Sequence, residues 1–271
     1  MLEGQMGLNW ERFTRIARAV EDLGFAGLFR SDHFTNPAPP DTDSLELIVS
    51  LTWLASNTSR IHFGPLVSPV SFRDPVMLTR QIAALSDLSG GRAILGLGAG
   101  WQEREHRAHG YDLLDVRSRM DRLDEGMRVA TLLLRGDGPQ TFEGRFFSIR
   151  DAELLPRPSH HVPILLGGNG PKRSHPIAAR YADIWNGFAR TPDGYRQICA
   201  HLDELLAAAD RKPGDLRRTM MTRAPQGEAS EVRGVLEDLE AGGVQEVMFQ
   251  WLDLDDLDGL ADLAKVAGLE G

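Results

Sequence analysis

The feature that most constrains this chain is a repeated exchange between two hydrophobic periods. Short apolar runs of strand type are each followed by a stretch with the 3.6-residue spacing of an amphipathic helix. Phe13, Ile16, Ala17, Val20 and Leu23 set the first helix, and Gly24 stops it. Ala26 to Arg30 reads as a strand and is followed by a proline-rich loop, Asn36 to Pro40, and by a helix N-capped by Asp43 or Ser44 that ends near Asn57. A strand from Ile61 to Val67, a helix opened by Pro75, and an extended run from Ala93 to Leu97 repeat the unit. Arg117 to Arg135 is strongly helical, whereas Gln140 to Ile149 alternates like a small hairpin. The same exchange then continues through strands at 163–166, 183–185, 219–223 and 246–251, with helices at 174–181, 195–209, 231–239 and 257–267. With Met1 to Gly4 taken as the rest of a first strand, eight strands are each followed by a helix. That alternation predicts a parallel sheet flanked by helices. At this length it predicts an α/β fold of the closed (β/α)8 barrel type, one domain over residues 1–271, rather than an open doubly wound sheet.

Composition narrows what such a barrel can do. The net charge of −9 disfavours nucleic acid, whose affinity rests on Lys and Arg neutralising phosphates. One cysteine, Cys199, cannot form an internal disulfide, and no basic stretch with an apolar core follows Met1, so a cytoplasmic protein without a membrane span is expected. Function in a barrel of this type sits at the C-terminal ends of the strands. The unusual residues fall there: Ser31-Asp32-His33, Val67-Ser68-Pro69, Gly96 to Trp101, and Gly167 to Arg173.

The two glycine clusters are near misses of known nucleotide motifs. The first has Trp101 where the dinucleotide pattern needs Gly, and the second has Pro171 where the P-loop needs Gly. They are read either as backbone cradles for an anion or as plain strand-to-helix turns. His33 is the best candidate for proton transfer, against the alternative of a histidine that bonds loop carbonyls. His106 and His109 near Glu105 do not form a compact metal-ligand set, and no GxSxG nucleophile elbow is present. Trp101, Trp185 and Trp251 each close a strand, where they either wall an aromatic cofactor or serve packing.

Leu23-Gly24-Phe25, Ser31-Asp32-His33-Phe34, Ala84 to Arg92 running into Leu95 to Trp101 with Glu105, Gly167-Gly168-Asn169-Gly170, and Ala178 to Asn186 together resemble the bacterial-luciferase-like family. The subgroup that uses the deazaflavin coenzyme F420 is the nearest in pattern. The resemblance implies a (β/α)8 barrel with a deazaflavin or flavin at its mouth, hydride transfer to or from a small organic substrate, and a homodimer. It assigns His33 as proton donor or acceptor and Asp32 as its neighbour beside the ring. Val67 and Ser68 fall behind the ring, Gly98, Ala99 and Gly100 on one phosphate loop, and Gly168, Asn169 and Gly170 on the other. It also implies a non-prolyl cis peptide between Leu66 and Val67, or failing that between Val67 and Ser68. Two departures stand out: Trp101 occupies the place of the acid used by the sugar-phosphate dehydrogenase branch, and Pro65 lies inside a strand. An FMN-dependent monooxygenase and a noncatalytic flavin-binding protein are the alternatives.

Overall fold

Local signals open and close the elements much as the periodicity requires. In the computed structural model, which describes residues 1–188, 191–225 and 229–269, helix α1 (Trp10–Asp22) starts where the Asn9 side chain accepts from the Arg12 amide. It buries Phe13, Ile16, Ala17 and Val20. Strand β1 (Gly27–Arg30) follows, then α2 (Leu47–Asn57), β2 (His62–Pro65), the two-residue β3 (Ser68–Pro69), α3 (Pro75–Ser89) and β4 (Leu95–Gly98). The chain continues through α4 (Glu103–His109), α5 (Val116–Arg135), the hairpin β5 (Gln140–Glu143) and β6 (Ser148–Ala152), β7 (Ile164–Gly167), α6 (Ser174–Tyr181) and β8 (Ile184–Gly187). It ends with α7 (Pro192–Ala208), β9 (Arg217–Arg223), α8 (Ala229–Ala241), β10 (Glu246–Gln250) and α9 (Leu257–Val266).

The parallel pairs β1–β2, β4–β7, β7–β8, β8–β9 and β9–β10 run around a ring. A bridge from Phe63 to Ala93 joins β2 to the β4 segment. The weak first strand closes the ring through one residue: Leu2 bridges Arg30 on one side and Trp251 on the other. The fold is therefore a closed (β/α)8 barrel, with the β5–β6 hairpin as an excursion outside it. Phe29, Leu66, Ile94, Leu165, Ile184 and Met248 form the apolar filling inside the ring. The larger core lies between strands and helices.

Three local expectations change. Helix α2 is capped by Glu46, whose carboxylate accepts from the Val49 amide, and not by Asp43 or Ser44. Ser44 is held in a bridge to Leu8 and gives its hydroxyl to the His33 carbonyl at 2.5 Å, so it serves the mouth instead. The strand read as 61–67 stops at Pro65, the peptide between Leu66 and Val67 is cis as expected, and pairing resumes at β3. Helix α4, which the periodicity did not separate from its surroundings, carries Glu105 and His106 as its buried residues. Among the described residues no helix is long and apolar enough to cross a membrane.

Candidate active site

The mouth is built from the residue that ends β1. Arg30 is 1% exposed and spends its guanidinium on Ser31 O, Leu45 O, Glu46 O and Ser50 Oγ, which ties the strand end to the start of α2. Burial pushes its pKa down to about 10. The next two side chains then point to different environments. Asp32 is 3% exposed, and both of its oxygens accept from Arg73, at 2.8 Å and 2.9 Å, with Ser68 Oγ as a further donor. It does not line the mouth cavity. His33 does.

His33 Nδ1 lies 2.9 Å from Glu105 Oε2, and the Glu105 side chain is completely buried. Glu105 also accepts from the backbone amides of Phe34 and Thr35. Burial raises the Glu105 pKa, but the bond and charge of His33 and the two amides outweigh it and hold the carboxyl below the usual range. An ionised carboxylate only accepts, so Nδ1 carries the hydrogen and Nε2 is the atom that gains or loses a proton. Nε2 makes no hydrogen bond to a described residue. Burial opposes charge on this ring, yet the bond to Glu105 and its charge, reinforced by Glu3 and Asp32, prevail and raise the His33 pKa above the ordinary histidine value.

The cavity in front of His33 has a volume of about 520 Å³ and is lined on one side by Leu66, Val67, Pro69, Gly100 and Trp101. Trp101 is 56% exposed, with its ring edge-on to His33 at 5.4 Å. On the other side lie Glu3, Gln5, Met221, Arg223, Gln250 and Leu252. Gln5 and Gln250 both donate to Glu3, at 3.2 Å and 2.6 Å.

The glycines divide into two uses. A methyl on Gly98 would stand 2.4 Å from Val67 Cγ2, and one on Gly167 3.1 Å from Val67 Cγ1, so these bare Cα atoms form a socket for Val67. One on Gly96 would sit 2.0 Å from the Pro65 carbonyl oxygen. Gly98, the last residue of β4, therefore has a packing duty against Val67, while Gly100, with φ +80°, is the glycine of this cluster that reaches the cavity. In the second cluster, methyls on Gly168 and Gly170 would each lie 3.0 Å from Ser174 Oγ, at the first residue of α6. Bare backbone around a hydroxyl and a helix N-terminus leaves the kind of cradle that an anion fills. Asn169 clamps the loop, its Oδ1 accepting from the Phe188 amide at 2.9 Å and its amide donating to the Phe188 carbonyl. The structure thus brings His33, Val67 and Gly100 to one cavity. Asp32, Ser68, Gly98, Ala99, Gly168, Asn169 and Gly170 lie outside its lining.

Sequence reading missed Glu105 as the partner of His33, Arg73 as the partner of Asp32, and Arg223 in the cavity. Glu105 carried a signal, since it stands three residues after Gln102 with His109 and Gly110 closing a short helix. Arg73 carried none.

His175 was also passed over. It is 2% exposed, packs edge-on to Trp185 at 5.6 Å, and neither ring nitrogen finds a partner. Burial, then the nearby His201, pushes its pKa down to about 4. The unfolded chain therefore binds a proton that the folded chain refuses between the ordinary histidine value and pH 4, and stability falls as pH drops through that window. The loss reaches at most about 3 kcal/mol. His175→Phe is expected to flatten this part of the profile, measured as the difference in unfolding midpoint between pH 7.5 and 4.5. An unchanged difference would refute the assignment.

A barrel mouth that holds a histidine backed by a buried carboxylate, between a glycine-socketed strand end and an open cavity, has the geometry that proton transfer requires. The chain matches the family model of luciferase-like monooxygenases over residues 2–233 and belongs to that family. It is 31% identical over 224 residues to an F420-dependent glucose-6-phosphate dehydrogenase of Kineococcus radiotolerans, covering 77% of this chain and 62% of that one. It is also 31% identical over 192 residues to the F420-dependent hydroxymycolic acid dehydrogenase of Mycobacterium tuberculosis, covering 70% and 52%. The chain thus spans only about three fifths and about half of the length of these two relatives. An F420-dependent secondary alcohol dehydrogenase has the same fold, with a TM-score of 0.85 at 18% identity over 98% of this chain and 97% of that one.

Proposed function

We propose that this chain is an F420-dependent oxidoreductase acting on a small organic substrate, with His33 as the proton donor or acceptor. The observation that carries the proposal is the His33–Glu105 pair: a buried carboxylate fixes Nδ1 of a histidine that lines the cavity, and Nε2 bonds to no described residue. The names of the sequence relatives supply the cofactor class. A bound deazaflavin supplies hydride transfer at its ring.

Everything else falls to the chain's own residues. Leu66, Val67 and Pro69 offer an apolar floor for a flat ring, and the socket of Gly98 and Gly167 keeps Val67 from shifting. The backbone at Ala99 and Gly100, and the loop Gly168 to Gly170 with Ser174, offer donors to the cofactor's phosphate. Asp32, held by Arg73 and Ser68, positions the turn that presents His33 rather than touching the ring. His33 Nε2 then takes the proton released when a hydroxyl becomes a carbonyl, or returns it in the reverse direction.

The proposal is tested by titrating coenzyme F420 and FMN separately against the protein and following their fluorescence. F420 is expected to bind the more tightly, and FMN binding without F420 binding would overturn the cofactor assignment.

The pH profile adds a second check. For substrate oxidation neutral His33 is required, so the rate rises with pH through its pKa; for reduction charged His33 is required, so the rate falls through the same value. Glu105→Gln removes the charge that raises this pKa and is expected to move the limb to lower pH in either direction. A limb that stays in place would detach His33 from the observed titration.

A further inference from the structure

We infer that Arg223 makes this site selective for substrates that carry an anionic group, a carboxylate or phosphate, set apart from the carbon that exchanges hydride. The inference rests on the oxidoreductase proposal for the site and adds the substrate class. Arg223 ends β9 and lines the same cavity as His33. Its side chain is exposed, and the guanidinium makes no hydrogen bond or ion pair with any described residue. The two arginines that open the same strand show the contrast, since Arg217 faces Glu246 and Arg218 holds Asp203.

The nearby acid does not serve as its counterion. Glu3 lines the cavity, but its carboxylate accepts from the Gln5 and Gln250 amides, and no oxygen of it comes within ion-pair reach of Arg223. Gln250, the register partner of Arg223, is committed in the same way. Met221 and Leu252 are the apolar neighbours on this wall. A guanidinium that lines a cavity without a described partner presents a planar fork that matches carboxylate or phosphate oxygens.

Position assigns that anion to the substrate rather than to the cofactor. The glycine-rich strand ends that suit a cofactor phosphate belong to β4 and β7, whereas Arg223 stands at the end of β9 beside β10 and the first strand. Trp101 rises from the opposite side of the lining, next to His33. A substrate with its carbonyl or hydroxyl at His33 and its carbon body on Trp101 then directs its charged end to Arg223.

The test uses matched pairs with and without the charge. In turnover with reduced F420, 4-oxocyclohexanecarboxylate is compared with 4-methylcyclohexanone. In the cofactor-free protein, benzoate is compared with benzamide by quenching of tryptophan fluorescence. The anionic member is expected to be favoured roughly ten- to a hundredfold in each pair. Arg223→Gln is expected to abolish that preference while leaving the neutral compounds and the F420 dissociation constant unchanged, and Arg223→Lys to restore part of it. Equal binding of benzoate and benzamide by the parent protein would overturn the inference. So would an Arg223→Gln protein that loses affinity for F420, since Arg223 would then belong to the cofactor. If F420 fails to bind the parent while benzoate is still preferred through Arg223, the oxidoreductase proposal falls and the anion seat stands.

Discussion

His33→Ala is expected to lower turnover by roughly 10²–10⁴-fold, the usual contribution of one positioned acid or base, while F420 binds within a few-fold of the parent. The separation follows from the geometry. His33 lines the cavity, and its Nε2 bonds to no described residue, whereas the apolar floor at Leu66, Val67 and Pro69 is made by other residues. Removal of the imidazole also leaves Glu105 buried with only the Phe34 and Thr35 amides, so Glu105→Gln in the His33→Ala background is the appropriate partner variant. Stopped-flow measurement of the hydride step, with F420 fluorescence as the signal, separates binding from chemistry. Full turnover with an unchanged pH profile would return His33 to a structural role.

Arg73→Met is expected to destabilise the fold by about 3–5 kcal/mol, because it strands the buried Asp32 carboxylate without the two bonds from its one charged partner. The side chain of Asp32 is 2% exposed and that of Arg73 19%, so water replaces little of what is lost. Ser68 remains as a donor but carries no charge. The double change Arg73→Met with Asp32→Asn is expected to recover a large part of the loss, since the uncompensated charge has gone. Chemical denaturation of the two single variants and the double reads this directly. A loss below about 1 kcal/mol in Arg73→Met would mean that water or a rearranged side chain compensates Asp32. Activity is expected to fall with stability here, because the same carboxylate anchors the turn that presents His33.

These two experiments address what the sequence disclosed least. His33 stood out as a titrating side chain just past a strand end, and its barrel-mouth position followed from counting strands. Its partner did not stand out. Glu105 lies 72 residues away on a short helix, and only the closed ring brings the two within hydrogen-bonding reach. Asp32 next to His33 suggested a second group beside the ring, yet its charge is turned away to Arg73, 41 residues further along. Gly98 was grouped with Gly100 by spacing, but the first makes room for Val67 and only the second meets the cavity.

The sequence by itself determined the barrel. Apolar period, a helix stop such as Gly24, and the count of eight strand–helix units are local properties of the chain, and each survives without knowledge of its neighbours. The first strand entered only as Met1 to Gly4 counted in to complete the eight, and its role as the closing piece appears only in the bridges of Leu2 to Arg30 and Trp251. Tertiary structure alone decided which charges are spent and which are free. Asp32 with Arg73, His33 with Glu105, Glu3 with two amides, and Arg223 with no described partner all depend on distances across the ring. The physical reason is range: hydrophobic periodicity acts over one or two turns of chain, whereas hydrogen bonds and ion pairs need atoms within about 3 to 4 Å whatever their separation in sequence.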